Sequence, residues 1–197
     1  MEDLKELFRR NRSYRRFDES EKIDEAEISK WIESARFCAS GRNLQPIKYI
    51  IVTDAELCNA LTATVKWAGY LPEWDGPEVG ERPTAYVAQL LDTTLTSTVR
   101  LDDGLQLSAI TLSAVEAGYG CCIFQSYNAA TITEMLGLPE GLKLMSVVAV
   151  GKPIEEVIIK DIEPGECIKY YRDEKRRHIV PKRKLSELIY KAPDKKY

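Results

Sequence analysis

The sequence predicts a domain that mixes α and β structure, and three observations carry the prediction. The runs Ile47 to Val52 and Lys143 to Gly151 are apolar and β-branched, as inner strands are. The stretch Leu101 to Ala117 is long, apolar and rich in small residues, and Gly118 stands where a left-handed residue ends a helix. The 197 residues, 44% hydrophobic and 30% charged, are enough for one well-filled core and short for two, so residues 1–197 read as a single domain.

Each element follows from a local signal. Leu4, Leu7 and Phe8 give a short amphipathic helix that leads into Arg12-Ser13-Tyr14-Arg15-Arg16-Phe17. Asp24 with Glu27 three residues later makes a capping box, and Ile28, Trp31, Ile32 and Ala35 supply an apolar face, predicting a helix from about Asp24 to Cys38. Its exit delivers Ser40-Gly41-Arg42-Asn43-Leu44-Gln45-Pro46, where Pro46 forbids further helix. Asp54 caps a helix carrying Leu57, Leu61 and Val65, after which Trp67 to Pro77 breaks all periodicity. The aromatics Trp67, Tyr70 and Trp74 of that loop either line the substrate side of a ligand mouth or pack down onto the domain. Thr84 to Leu91 and Tyr119 to Phe124 read as further strands, and Asn128 caps a helix through Met135. Beyond Glu155 the pattern weakens into a C-terminal arm of about 155–197. Within it, residues 172–184 hold seven Lys and Arg against Asp173 and Glu174, for which a solvated basic tail is the simple reading.

Composition removes several classes of function. A formal net charge of −3 and a pI near 5.4 argue against a nucleic-acid binder, whose affinity rests on accumulated positive charge. No apolar run approaches the ~18 residues of a membrane span, and the N-terminus has no signal-peptide core, so the expectation is a cytoplasmic protein without a membrane partner. Five cysteines, odd in number and without C-x-x-C or His-paired spacing, indicate neither disulfides nor a metal site. Adjacent Cys121 and Cys122 read as small buried residues rather than a redox pair. One histidine, His178, and the absence of G-x-S-x-G, H-E-x-x-H and phosphate-loop motifs weigh against hydrolases and NTPases.

Two motifs remain. Arg12 and Arg15, one helical turn apart and beside the hydroxyl of Ser13, form a phosphate grip, because each guanidinium presents a planar fork of donors. Arg16 reads as a surface or ion-pairing residue. The Ser40 to Gln45 turn offers Asn43 and Gln45, whose amides carry both donor and acceptor atoms for a heteroaromatic edge. Together they point to a phosphorylated, ring-bearing cofactor.

With Asp102-Asp103-Gly104-Leu105-Gln106, Ala117 to Ile123 and Val180 to Leu185 following in order, these motifs resemble the nitroreductase family of FMN-dependent oxidoreductases over nearly the whole chain. The resemblance implies a three-layer α+β fold, with helices on both faces of a mixed, mostly antiparallel sheet, forming an intertwined homodimer with FMN at the interface. It assigns the FMN phosphate to Arg12, Ser13 and Arg15, completed by Lys182 or Arg183 from the C-terminal arm. Ser40 and Asn43, with Gln45, reach the flavin of the neighbouring subunit. Cys122, Ile123 and Phe124 run beside the ring, with core packing the alternative for the side chains of Ile123 and Phe124. No protein residue need be catalytic, since flavin N5 accepts the hydride from NADH or NADPH and the electrons pass to a small acceptor such as a nitroaromatic, quinone or flavin, donor and acceptor binding alternately. The residues do not choose between NADH and NADPH. A non-catalytic flavin- or nucleotide-binding sensor or storage module is the alternative. Asn11 and Ala39 stand where the family often has a basic residue and a proline, which leaves the subfamily open.

Overall fold

In the computed structural model, which describes residues 3–191, the apolar runs form a sheet around one long strand. The chain divides between Ile154 and Glu155 into two units. The first holds β1 (Phe17–Asp18), β2 (Ile47–Val52), β3 (Ala85–Asp92), β4 (Gly120–Phe124) and β5 (Leu142–Pro153). β5 pairs antiparallel with β3, with β4 and, through Lys152 and Pro153, with β1, while β3 pairs antiparallel with β2.

Period-two alternation sorts these strands into two cores. Ala85, Val87, Cys121, Val148 and Val150 pack with Ile28, Trp31 and Ala35 of α2 (Glu25–Arg36) and with Leu107, Ile110 and Ala114 of α4 (Asp102–Glu116). Tyr86, Ala88, Leu90, Cys122, Phe124, Val147 and Ala149 pack with Cys58 and Leu61 of α3 (Ala55–Thr64) and Ile132 of α5 (Ala129–Met135). Full burial of a side chain such as Ile28 or Ile110 is worth about 1.5–3 kcal/mol. Adjacent Cys121 and Cys122 therefore belong to opposite cores.

The caps act where the sequence places them, with one correction. Asp54 accepts from Leu57 N at 2.9 Å and Asn128 from Thr131 N at 3.2 Å, and Gly118 ends α4 at φ +82°. Asp24 caps α2 by accepting from Ala26 N, and Glu27 closes no capping box, because its carboxylate takes Lys30 Nζ at 2.6 Å instead. The helix α1 (Leu4–Arg10) forms on an Asp3 cap but buries none of its residues, leaving Leu4 and Phe8 exposed.

The second unit corrects the basic tail. Residues Tyr171–Arg172 (β7) and His178–Arg183 (β8) pair antiparallel, and Val157–Ile162 (β6) pairs parallel with β8, ahead of the short α6 (Leu185–Leu188). Lys175, Arg176 and Arg177 lie on the turn between β7 and β8 with Asp173 and Glu174, where Arg177 Nε donates to Asp173 at 2.7 Å, while Arg172, Lys182 and Arg183 lie on the strands. Pro181 is tolerated because β7 has ended by then, so the proline lies opposite Lys160 of β6 alone.

Candidate functional site

The Arg12 to Arg16 segment is extended, not helical. α1 ends at Arg10, and Ser13 forms a parallel bridge with Cys121, closed by Tyr14 N donating to Cys121 O at 2.9 Å. The expected spacing of one helical turn between Arg12 and Arg15 is thus replaced by an extended segment laid along β4. Three contacts pin it there. Asn11 Nδ2 donates to Thr111 Oγ1 at 2.9 Å, Arg10 Nη2 donates to Val115 O at 3.0 Å, and Tyr14 lies so close to Gly120 that an added Cβ would sit 2.6 Å from its ring. A side chain at 120 would push the segment off the strand.

This pairing brings two groups of expected site residues together, Arg12, Ser13 and Arg15 with the strand of Cys122, Ile123 and Phe124. Arg12 Nη2 donates to Phe8 O at 3.0 Å, whereas its Nε is buried and has no partner. Partial burial also draws the Arg12 guanidinium below its ordinary pKa, so the cation is incompletely compensated. Arg15 is buried, with Nη1 donating to Ser13 O at 3.2 Å, and the Ser13 side chain is exposed. A desolvated guanidinium N–H without an acceptor, next to an exposed hydroxyl, fits a phosphate group. Arg16 takes the ion-pairing role, its Nε donating to Glu81 Oε2 at 2.6 Å.

On β4, Cys122 and Phe124 are buried and Ile123 is 42% exposed. Core packing therefore accounts for the Phe124 side chain and not for that of Ile123. Burial pushes the Cys121 thiol pKa up, away from thiolate chemistry.

The Ser40 to Gln45 turn is held by a residue that the sequence marks only as a helix opener. The buried Asp102 carboxylate accepts from the Ser40 hydroxyl and, at 3.2 Å, from Gly41 N, and Ser40 Oγ in turn accepts from Gln45 N at 2.8 Å. Sixty-two residues separate Ser40 from Asp102, too far for any local pattern to reveal the clamp. Within the clamped turn Arg42, Asn43 and Gln45 adopt positive φ of 57°, 56° and 51°. Left-handed backbone at a non-glycine residue costs on the order of 1 kcal/mol, and such strain gathers at functional sites. Asn43 and Gln45 are exposed, with Gln45 Nε2 donating to Asn43 O at 3.1 Å.

Two cavities adjoin this turn. One of about 530 Å³ lies between α2 and β2, lined by Gln45, Tyr49, Gln106 and Cys38 among others; Tyr49 Oη donates to Gln106 Oε1 at 2.6 Å, and burial pushes the phenol up to about 12. The other, about 200 Å³, is lined by Arg42, Thr96, Thr98, Arg100 and Asp102 with Gly41, Leu44 and Pro46. Neither includes a residue of the Arg12 to Arg15 segment, so within one chain these cavities do not join the turn to the phosphate grip.

Of the aromatic loop, Trp67 packs inward. Its Nε1 donates to Thr62 O at 3.0 Å and its ring meets Phe124 edge-on at 4.7 Å and Trp74 at 6.1 Å, which leaves Tyr70 as the exposed aromatic. Trp67 thus takes the packing alternative, with Trp74 beside it. In the second unit, Lys182 and Arg183 lie exposed on β8, and Arg183 Nη1 lies 3.6 Å from Glu187 Oε2. Among the described residues no helix is long and apolar enough to cross a membrane, and no group of three His, Cys, Asp or Glu is placed to hold a metal ion.

A sequence model of the nitroreductase family matches residues 8–152. Among solved structures, a nitroreductase-like protein from Desulfovibrio desulfuricans in complex with FMN superposes with a TM-score of 0.68 at 20% identity, covering 99% of this chain and all of the other. A nitroreductase family protein from Clostridium novyi superposes with a TM-score of 0.65 at 21% identity over 77% of this chain and 86% of its own. An FMN-dependent nitroreductase from Clostridium difficile gives 0.63 at 20% identity over 76% and 87%.

Proposed function

The chain belongs to the nitroreductase family, and on that premise we propose that it is an FMN-dependent oxidoreductase, carrying electrons from NADH or NADPH to a small acceptor of the nitroaromatic, quinone or flavin class. The observation that carries the reading is the buried, partnerless Nε of Arg12 on a segment fastened along β4. We further propose that two copies form a dimer of three-layer α+β domains, in which Ser40, Asn43 and Gln45 of one copy serve the flavin held by Arg12, Ser13 and Arg15 of the other. Lys182 or Arg183 completes the phosphate's neutralisation.

Bound FMN supplies the redox chemistry, accepting hydride and passing electrons on. The chain's residues bind and orient. Arg12 and Ser13 offer charge-assisted and hydroxyl donors to the phosphate, each charged bond worth roughly 1.5–3 kcal/mol where water is excluded. The β4 backbone beside them would run along the ring, with Ile123 as exposed apolar surface. The Asp102 clamp braces the Ser40 to Gln45 turn with three hydrogen bonds, which would lower the ordering cost of binding. Tyr70, the loop aromatic that stays exposed, is the one proposed for a substrate-side role. The thiols take no part.

The test is the visible spectrum of the purified protein, with the cofactor identified after denaturation, followed by NADH or NADPH and then an acceptor. A flavin spectrum that bleaches with the donor and recovers with the acceptor is expected. A yellow protein that neither donor bleaches would be a storage or sensing module, and a protein that does not take up FMN would end the reading.

A further inference from the structure

The cavity of about 200 Å³ beside the Ser40 to Gln45 turn has a charge pattern that holding FMN does not use. Among the described residues its lining includes two arginines, Arg42 and Arg100, and two threonines, Thr96 and Thr98, against a single acid, Asp102. Asp102 is turned inward, accepting from the Ser40 hydroxyl and Gly41 N. Arg42 and Arg100, both exposed, make no hydrogen bond or ion pair among the described residues. The wall therefore carries two cations against one committed anion, in a chain whose total charge is −3.

The backbone strengthens the argument. Arg42 sits at φ 57°, a conformation that Gly or Asn adopts with less strain, on a turn that Asp102 locks. A long cationic side chain kept at such a position, in the lining of the cavity, carries a cost in local stability. Thr96 Oγ1 accepts from Thr98 N at 3.3 Å and donates to Thr98 O at 3.2 Å, which closes a small local turn in the lining and commits the Thr96 hydroxyl proton to it. The volume suits one compact group rather than a whole dinucleotide.

We infer that the Arg42–Arg100 cavity is an oxyanion subsite, taking a phosphate or carboxylate carried by one of the enzyme's substrates. The inference rests on the proposed oxidoreductase reading for its substrates, though not for the anion site itself. The shared chemistry, a trigonal or tetrahedral oxyanion held by two guanidinium forks, has two sources: the 2′-phosphate of NADPH or a carboxylate on the acceptor.

The experiment has a binding arm and a kinetic arm. The FMN-loaded protein, whose phosphate grip is already filled, is titrated with inorganic phosphate at constant ionic strength while the arginine Nε–H resonances are followed by NMR. Saturable shifts at Arg42 and Arg100, with affinity reduced at least tenfold in Arg100→Ala and in Arg42→Asn, are expected; Asn keeps the left-handed backbone accessible. Shifts at neither residue, or shifts that chloride reproduces, would overturn the subsite. The kinetic arm compares kcat/KM for NADPH against NADH with one acceptor, and for a carboxylated against a neutral nitroaromatic with one donor. A tenfold fall in the first ratio in both variants assigns the subsite to the donor phosphate, and in the second ratio to the acceptor. Two unchanged ratios would overturn the substrate assignment. Failure of the flavin reading shows separately as a protein without FMN, on which the phosphate titration of Arg42 and Arg100 still reads the subsite, in an Arg12→Ala background that weakens the phosphate grip.

Discussion

Arg12 and Arg16 are four residues apart and differ in what they leave unsatisfied. Arg16 is matched to Glu81, whereas Arg12 keeps a buried N–H without an acceptor. Arg12→Ala is expected to weaken FMN binding about tenfold to a hundredfold, or roughly 1.4–2.8 kcal/mol. Arg16→Ala should barely change FMN affinity yet lower the melting temperature, since it removes the ion pair of a half-buried carboxylate. Equal losses of FMN affinity in both variants, measured by fluorescence titration, would show the grip to be misplaced. A second residue-scale expectation concerns alkaline pH. Burial pushes the Cys58 thiol up from 9.0 to about 11. Its folded pKa lies above the unfolded one, so its contribution is complete below pH 9 and is lost as pH rises toward 11, because the unfolded chain gives up the proton first. Denaturant titrations should show stability falling across this window by as much as about 1.4 kcal/mol per pH unit from this group, and Cys58→Ala should flatten the slope. An identical slope in the variant would remove Cys58 as its cause.

At the scale of elements, legibility in the sequence depended on whether the deciding interaction is local. The Asp24, Asp54 and Asn128 caps, the Gly118 stop and the strands around Ile50, Val87 and Val148 could all be read, because each depends on a few consecutive residues. The extended form of Arg12 to Arg16 could not, since its cause is Tyr14 lying on Gly120 more than a hundred residues away. Nor could β8, where Pro181 and a turn full of charge obscure a strand whose buried residues are His178 and Ile179. The site divides the same way, for its residue types are visible as motifs while the clamp that shapes the turn is not. Asp102 is therefore the residue on which to test how α4 organises the turn. Asp102→Ala leaves the Ser40 hydroxyl and Gly41 N without their acceptor, a loss of roughly 1–3 kcal/mol. Amide exchange at Gly41 and Gln45 should accelerate far more than exchange in β5. Uniform acceleration across both would mean that the clamp serves global stability and does not order the turn.

At the scale of the whole molecule, three of the apolar residues left outside the core offer a face for the proposed second copy. Phe37 at the end of α2 is 72% exposed, and Leu101 and Leu105, one turn apart at the start of α4, are 71% and 45% exposed. Cys38 Sγ donates to Leu105 O at 3.6 Å, so the end of α2 and the first turn of α4 form one continuous surface. The strained Ser40 to Gln45 turn leaves from that surface, clamped by the first residue of α4. If this face joins two copies, dimerisation and FMN binding are linked, because the turn of one copy completes the site of the other. A charge at its centre separates the possibilities. Leu105→Glu replaces an apolar side chain that the single chain already leaves 45% exposed, so it should cost the isolated subunit no more than about 1 kcal/mol. In a dimer the same change buries an unpaired carboxylate. The variant is expected to sediment as a monomer at micromolar concentration and to lose FMN affinity in parallel, with affinity partly recovered as protein concentration rises. A wild-type protein that sediments as a monomer while holding FMN in full would exclude a shared site and place the whole cofactor contact within one chain.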